Sequence, residues 1–382
     1  MRIKFKETGK QIELVQAMAS KDRLKAAAAQ ESFAALMQPV VEKVILETDI
    51  TSALFEDMPF REDEDPSIPL DPFRGYKEDT LSIWSQEVAG GLATNFVKLA
   101  TDEFKFSTYR VDSAISWDEK FARKTRLPII AGYMTLLAQE LLRKRKINAW
   151  TTIFTGVANA THKIGTTATS HVFRAVTPGT FDMDEINYWF RLVRRLNQSV
   201  FGGSPTENPF GLTDLWMSPE FIQKIRAMSY NPINTKGANN VTGTAASGVL
   251  GLNEADRAKL LNTAGISSFM GVAIHELNEF GIGFDFNTLF AAASGATAYT
   301  DRAGNGSAQF APSTEEVVLG VNGGQPFGYR PVETSDTLDN KSTFTLTNDT
   351  QFSNRSGKIG QYGWYNLAHI LLSTRPLTAY II

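Results

Sequence analysis

The chain has 382 residues, a formal net charge of −3, 42% hydrophobic and 21% charged residues, and no cysteine. That balance is globular, and the length allows two or three compact units or one elaborated fold. The missing cysteines exclude a disulfide framework and thiolate chemistry, and the near-neutral charge excludes wholesale coating of nucleic acid.

The first residues, MRIKFKETGK, lack the apolar core of a secretory signal, and the apolar stretch around Leu136 is broken by Gln139 and Glu140. The expectation is a soluble protein of cytoplasmic origin, with no membrane partner. Ile12, Val15, Met18, Phe33, Leu36, Met37, Val40, Val41 and Val44 recur at helical spacing, so residues 10–47 read as helix, and Pro39 is expected to separate or kink two pieces. Two readings of this segment stand: an arm reaching a neighbour, or a helix packed on its own domain.

FREDEDPSIPLDPF, Phe60 to Phe73, holds three prolines and the acid run Glu62, Asp63, Glu64 and Asp65. Proline withholds a backbone donor, so this is loop or sheet edge. From Thr80 to Trp117 two extended runs flank Gly90-Gly91 and predict a long β-hairpin, with Trp84, Val88, Leu92 and Phe96 among its apolar residues. An isolated ribbon is barely stable in water, so it needs another surface to lie on. A helix from about Pro128 to Val157 follows. Proline suits its first turn, and Ile130, Tyr133, Leu137, Leu141 and Ile147 form one stripe. Arg143, Lys144, Arg145 and Lys146 spread around it, so some must face away from the core.

Residues 158–182 are rich in Thr, Gly and Ala and read as loops with short strands. Asp184 to Asn197 is an amphipathic helix with Ile186, Trp189, Phe190 and Val193 inward. LTDLWMSPEFIQKIRAM reads as a buried strand, a Ser218 cap and a helix beginning at Pro219. A strand between two helices indicates an α/β region. Residues 231–251 form a long polar loop. SSFMGVAIHEL and EEVVLGV read as strands, and extended segments close the chain.

Motifs for chemistry are missing. His275-Glu276 has no second histidine four residues on, so the zincin pattern fails. His162, His171 and His369 read as structural. There is no G-x-S-x-G elbow and no phosphate loop, and TDRAGNG at Thr300 lacks EF-hand acid spacing. No catalytic residue, metal site or cofactor is expected.

The order of parts resembles the major capsid proteins of tailed bacteriophages, the Hong Kong 97-type fold. EFKFSTYRVDSAISWDEKFARKTRLPIIAGYMTLLAQELL resembles that family's passage from E-loop strand to spine helix. LWMSPEFIQKIRAM is similar to its axial-domain strand–helix step, and NLAHILLSTRPLTAYII is similar to its ending. The resemblance implies an α+β fold. Its parts are an N-terminal helical arm (1–58), a proline-rich lead and E-loop hairpin (59–107), a peripheral domain (108–180) with the spine helix (128–157), an axial domain (181–335), and C-terminal strands (336–382) returning through both domains. It further implies a non-enzymatic shell subunit of the virion, assembled as hexamers and pentamers in the host cytoplasm. Partners would be scaffolding, portal and decoration proteins, with non-specific contact to packaged double-stranded DNA. Because the arm begins near Met1, no fused scaffold is expected. Some relatives cross-link lysine to asparagine. Lys77 and Lys98 lie near the hairpin and Asn354 near the end, but the acidic residue that chemistry needs has no match, so cross-linking is not carried over. Inter-subunit contacts are expected from Arg143–Lys146 and Glu62–Asp65. Two other readings remain open: an encapsulin-like compartment with protein cargo, and an enzyme or binding module.

Overall fold

The computed structural model describes residues 3, 5, 8–61, 67–70, 102–164, 167–176, 179, 181, 183–198, 211–230, 268–323, 327–337, 340–349 and 357–382. Four expectations lie outside the described residues: the acid run Glu62–Asp65, the hairpin residues Trp84 to Phe96, the loop 231–251, and Lys77, Lys98 and Asn354. The chain divides into two compact units. The first gathers Met1–Leu70, Thr101–Ala149 and Gly328–Ile370; the second gathers Trp150–Phe327 and Leu371–Ile382.

The first unit joins helices to a sheet. Helix α1 (Gly9–Met18) and helix α2 (Arg23–Thr48) are separated by a break that Asp22 closes, its side chain accepting from Leu24 N at 3.2 Å. Of the two outcomes expected at Pro39, separation into two pieces is not found. Helix α2 runs through Pro39, which sits on the exposed side, because the turns on either side of it are held in the core by the buried Phe33, Ala34, Met37, Val41, Val44 and Ile45. These residues share one core with Trp117, Leu137, Leu141, Leu346 and Ile359. Of the two readings of this segment, the packed one is found: the helices belong to their own unit.

The sheet of this unit is built around the strand Lys358–Leu367. It pairs antiparallel with Tyr109–Asp118 along ten residues, from Lys358↔Asp118 to Leu367↔Tyr109. On its other edge it meets Thr345–Asn348, and at Val332↔Leu367 it meets Gly328–Thr337. Strand Glu56–Arg61 then adds parallel to Gly328–Thr337. Residues from the two ends of the chain therefore share one sheet. That is why this unit crosses the borders expected at residues 58, 107 and 335. A separate antiparallel ladder joins Ser67–Leu70 to Asp102–Lys105, with Ser67 opposite Lys105. Residues 71–101 lie between these two strands in sequence.

After a short helix α3 (Glu119–Arg123), helix α4 spans Leu127–Ala158, 32 residues and about 48 Å at 1.5 Å per residue. In the first unit it buries Leu127, Ile130, Met134, Leu137, Ala138 and Leu141, a three-and-four repeat facing the sheet core. Its last turns, from Trp150, belong to the second unit.

The second unit is a mixed six-stranded sheet. In order its strands are Val172–Arg174, Leu377–Ile381, Val317–Val321, Asp214–Met217, Val272–Glu276 and Ser268–Phe269. Helix α5 (Met183–Gln198) and helix α6 (Pro219–Tyr230) contribute Ile186, Trp189, Val193, Phe221, Ile222 and Ile225 to a core with Leu215, Val318 and Tyr380. The Ser218 cap is present, with Phe221 N donating to its Oγ at 3.0 Å. A second aromatic group joins Trp150 and Phe154 of α4 to Trp216, Phe280, and Phe286 and Phe290 of helix α7 (Asp285–Ser294). Trp150 sits 4.8 Å from Phe286 and 5.7 Å from Trp216, centroid to centroid.

SSFMGVAIHEL is a hairpin, not the single strand expected. Val272 pairs with Phe269 across Met270-Gly271, which have φ of 52° and 83°. Positive φ at both central positions is the reversal that matches strand twist, and glycine supplies one of them freely.

Candidate assembly surfaces and a buried ion cluster

The four basic residues of α4 do not act alike. Arg143 and Lys144 are exposed and Lys146 is half-buried, but Arg145 is 3% exposed. Its guanidinium Nε lies 2.9 Å from Asp49 Oδ2, and its ring neighbour is Tyr365 at 5.9 Å. The expectation that Arg145 faces a neighbouring subunit is corrected: its charge is met inside its own unit. Position 145 lies four residues after buried Leu141 and four before buried Ala149, so the helical register carries it inward.

Arg330, 1% exposed, completes the cluster. Its Nη1 donates to Asp49 Oδ2 at 2.6 Å and to Thr51 Oγ1 at 3.0 Å, and its Nε donates to Asp57 Oδ1. Asp49 also accepts from Thr51 N at 3.0 Å and from the Thr51 hydroxyl at 2.6 Å. Two cations thus meet two carboxylates, and the cluster is neutral. Burial alone would raise the Asp49 pKa, but Arg145, Arg330 and the Thr51 hydrogen bonds outweigh it and hold the carboxyl below its ordinary value. The cluster ties the end of α2 to α4 and to the strands Glu56–Arg61 and Gly328–Thr337.

Beside it, His369 Nδ1 is 2.7 Å from the Tyr109 hydroxyl. Burial, then the charges of Arg330 and Arg145, push the His369 pKa down to about 3. In the second unit His162 and His171, separate in the sequence reading, form a pair, with Nδ1 and Nε2 2.7 Å apart. His171 Nδ1 lies 2.7 Å from the Leu377 carbonyl, so Nδ1 carries the proton, Nε2 accepts, and His162 Nδ1 donates. Burial pushes the His171 pKa down to about 4.

Both folded pKa values lie below the unfolded value of about 6.5, so the unfolded chain binds the extra protons. Each histidine lowers the folding constant roughly tenfold per pH unit as pH falls from about 6.5 toward its folded pKa, and the loss saturates below that pKa. Denaturant titrations at pH 7.5 and pH 5 should show a clear loss of stability at the lower pH. Equal midpoints would contradict the buried neutral assignment.

Several apolar side chains stay exposed. On the outer side of α2 these are Leu24, Leu36, Val40 and Leu46, and on α4 Leu136. In the second unit they are Val176, Met270, Ile282 and Phe284. Among the described residues there is no group of three metal-binding side chains, and no helix long and apolar enough to cross a membrane.

No protein-family model and no curated protein matches the chain. Solved structures do. The mature capsid of bacteriophage PhiM1 is similar over 87% of this chain and 86% of its own, at 12% identity and TM-score 0.46. The capsid of an empty GTA particle is similar over 88% and 90%, at 11% identity and TM-score 0.48. The SrpI encapsulin complex from Synechococcus elongatus is similar over 73% and 75%, at 7% identity and TM-score 0.39.

Proposed function

We propose that this chain is the major capsid protein of a tailed bacteriophage, a structural subunit that repeats to form an icosahedral shell around double-stranded DNA. The observation that carries this reading is the path of the chain. Packed N-terminal helices lead through the Arg330 cluster to a two-stranded ribbon base at Ser67–Leu70 and Asp102–Lys105. The return strand Tyr109–Asp118 feeds, through α3, the 32-residue helix α4, whose residues are divided between two cores. A mixed α/β unit follows, and the closing strands add to both sheets.

This architecture supports a load-bearing role without chemistry. Helix α4 is unbroken over 32 residues, and the hairpin expected from the sequence between Ser67–Leu70 and Asp102–Lys105 would need a neighbour to cover it. Arg143, Lys144 and Lys146 on α4, and Glu62–Asp65 ahead of the ribbon, remain the proposed charged contacts between subunits. Exposed pairs of this kind contribute about 0–1 kcal/mol each, and symmetry repeats them around the shell. Scaffolding, portal and decoration proteins are the proposed partners, with assembly in the host cytoplasm. DNA contact is non-specific, since a net charge of −3 leaves most phosphates to small cations.

The test is the content of particles purified from cells expressing the chain with its neighbouring genes. Nuclease-protected double-stranded DNA supports the capsid reading. Particles that hold a single enzyme and no DNA support the encapsulin-like alternative and overturn it.

A further inference from the structure

The geometry points to a knob and a groove on the second unit that join one copy of this chain to the next, head to tail, around a ring. The inference rests on the shell reading and names the surfaces that would build its capsomers.

The groove lies on the outer face of α5. Asn187, Phe190, Arg191, Arg194, Arg195 and Met270 line a concavity of about 520 Å³. The three arginines are exposed at helical spacing, and none forms an ion pair with a described acid. Three other cations of the unit are paired with acids: Arg174 with Glu315, Lys224 with Glu316 and Arg302 with Glu185. Met270 is 49% exposed and holds a φ of 52°. A non-glycine residue in the left-handed region costs energy, and here it presents an apolar, adaptable side chain to the groove.

The knob is the turn after strand Val272–Glu276. Gly281 and Gly283 have φ of 118° and 81°, and Phe284 N donates to Gly281 O at 3.2 Å. This tight backbone pushes Ile282 and Phe284 outward, 50% and 48% exposed. Glu220, Glu276 and Asp285 are exposed around them. The knob is therefore apolar with an acidic rim. The groove has an apolar floor of Phe190 and Met270 with a cationic rim.

Met270 precedes the five-residue strand and the knob follows it, so about one strand length, roughly 17 Å, separates the knob from the Met270 end of the groove. A copy cannot fill its own groove, and the two surfaces differ, so the contact between copies is heterologous. Such contacts close into rings when the rotation permits. Buried aromatic and arginine anchors are the residue types that dominate interface energy.

The chain has no cysteine, which makes the test clean. Asn187 at the groove and Asn278 beside the knob are both exposed. Particles of the Asn187→Cys/Asn278→Cys double variant, treated with a short bismaleimide, should give a ladder beyond dimer on a denaturing gel. Each single variant should give no ladder. Intact particles with no cross-link, or dimers from a single variant, overturn the knob and groove while leaving the shell reading in place. A chain that forms no particle with its native sequence overturns both. Phe284→Ser and Arg191→Glu/Arg194→Glu should each abolish particle formation while keeping a native circular dichroism spectrum. Normal particles from either would contradict the inference. If either unfolds, the cross-linking result decides.

Discussion

Replacing Arg330 with methionine is expected to destabilise the first unit by about 3–5 kcal/mol, the cost of breaking a buried charge group by removing one partner. Arg330 is 1% exposed and donates to Asp49, Thr51 and Asp57. Without it Asp49 stays buried with only Arg145 as a counter-charge. The Asp49 pKa then rises toward the value that burial favours. The carboxylate contributes stability above its unfolded pKa of about 3.9, lost as pH falls through the depressed folded value, so the variant should lose that contribution at a higher pH. Denaturant unfolding of the variant against the parent, at neutral pH and near pH 4, reads both effects. A neutral-pH loss below about 1 kcal/mol, the range of a surface pair, would contradict the account of the cluster. Asp49→Asn should be nearly as damaging, and the double variant less damaging than the sum, because the partners act as one group.

The second large effect is on assembly. Replacing residues 82–100 with a short Gly/Ser linker should leave a soluble subunit that melts cooperatively with near-native circular dichroism. The ladder Ser67–Leu70 with Asp102–Lys105 lies outside the deletion, and both described cores are built without those residues. Loop length alone costs little. The variant should fail to close shells, because Trp84, Val88, Leu92 and Phe96 would need a surface supplied by an adjacent copy. An unfolded variant would assign those residues to the subunit's own core. Normal particles would show that the segment is not the clamp between subunits.

Much of this fold is legible in the sequence where the signal is local. The stripe along Ile130, Leu137 and Leu141 and the early Pro128 mark α4 to within a residue at each end. Ser218-Pro219 marks the start of α6. What fails depends on distant partners. Arg145 reads as one of four surface cations because Asp49, Asp57 and Arg330 come from other parts of the chain. The pattern Leu141, Arg145, Ala149 was the available signal. The first unit's sheet pairs strands from both ends of the chain, so local pattern could not draw its borders. Pro39 does not divide α2 because Phe33, Met37, Val41 and Val44 anchor the turns around it in the core. Met270-Gly271 hides inside an apolar run, and Gly271 was the only hint of a turn.

Electron microscopy of the purified, expressed chain tests the central claim most directly. The account predicts closed icosahedral shells, or the hexamers and pentamers that build them, with subunits in rings around their second units. A homogeneous, well-folded monomer across salt and protein concentration would contradict it.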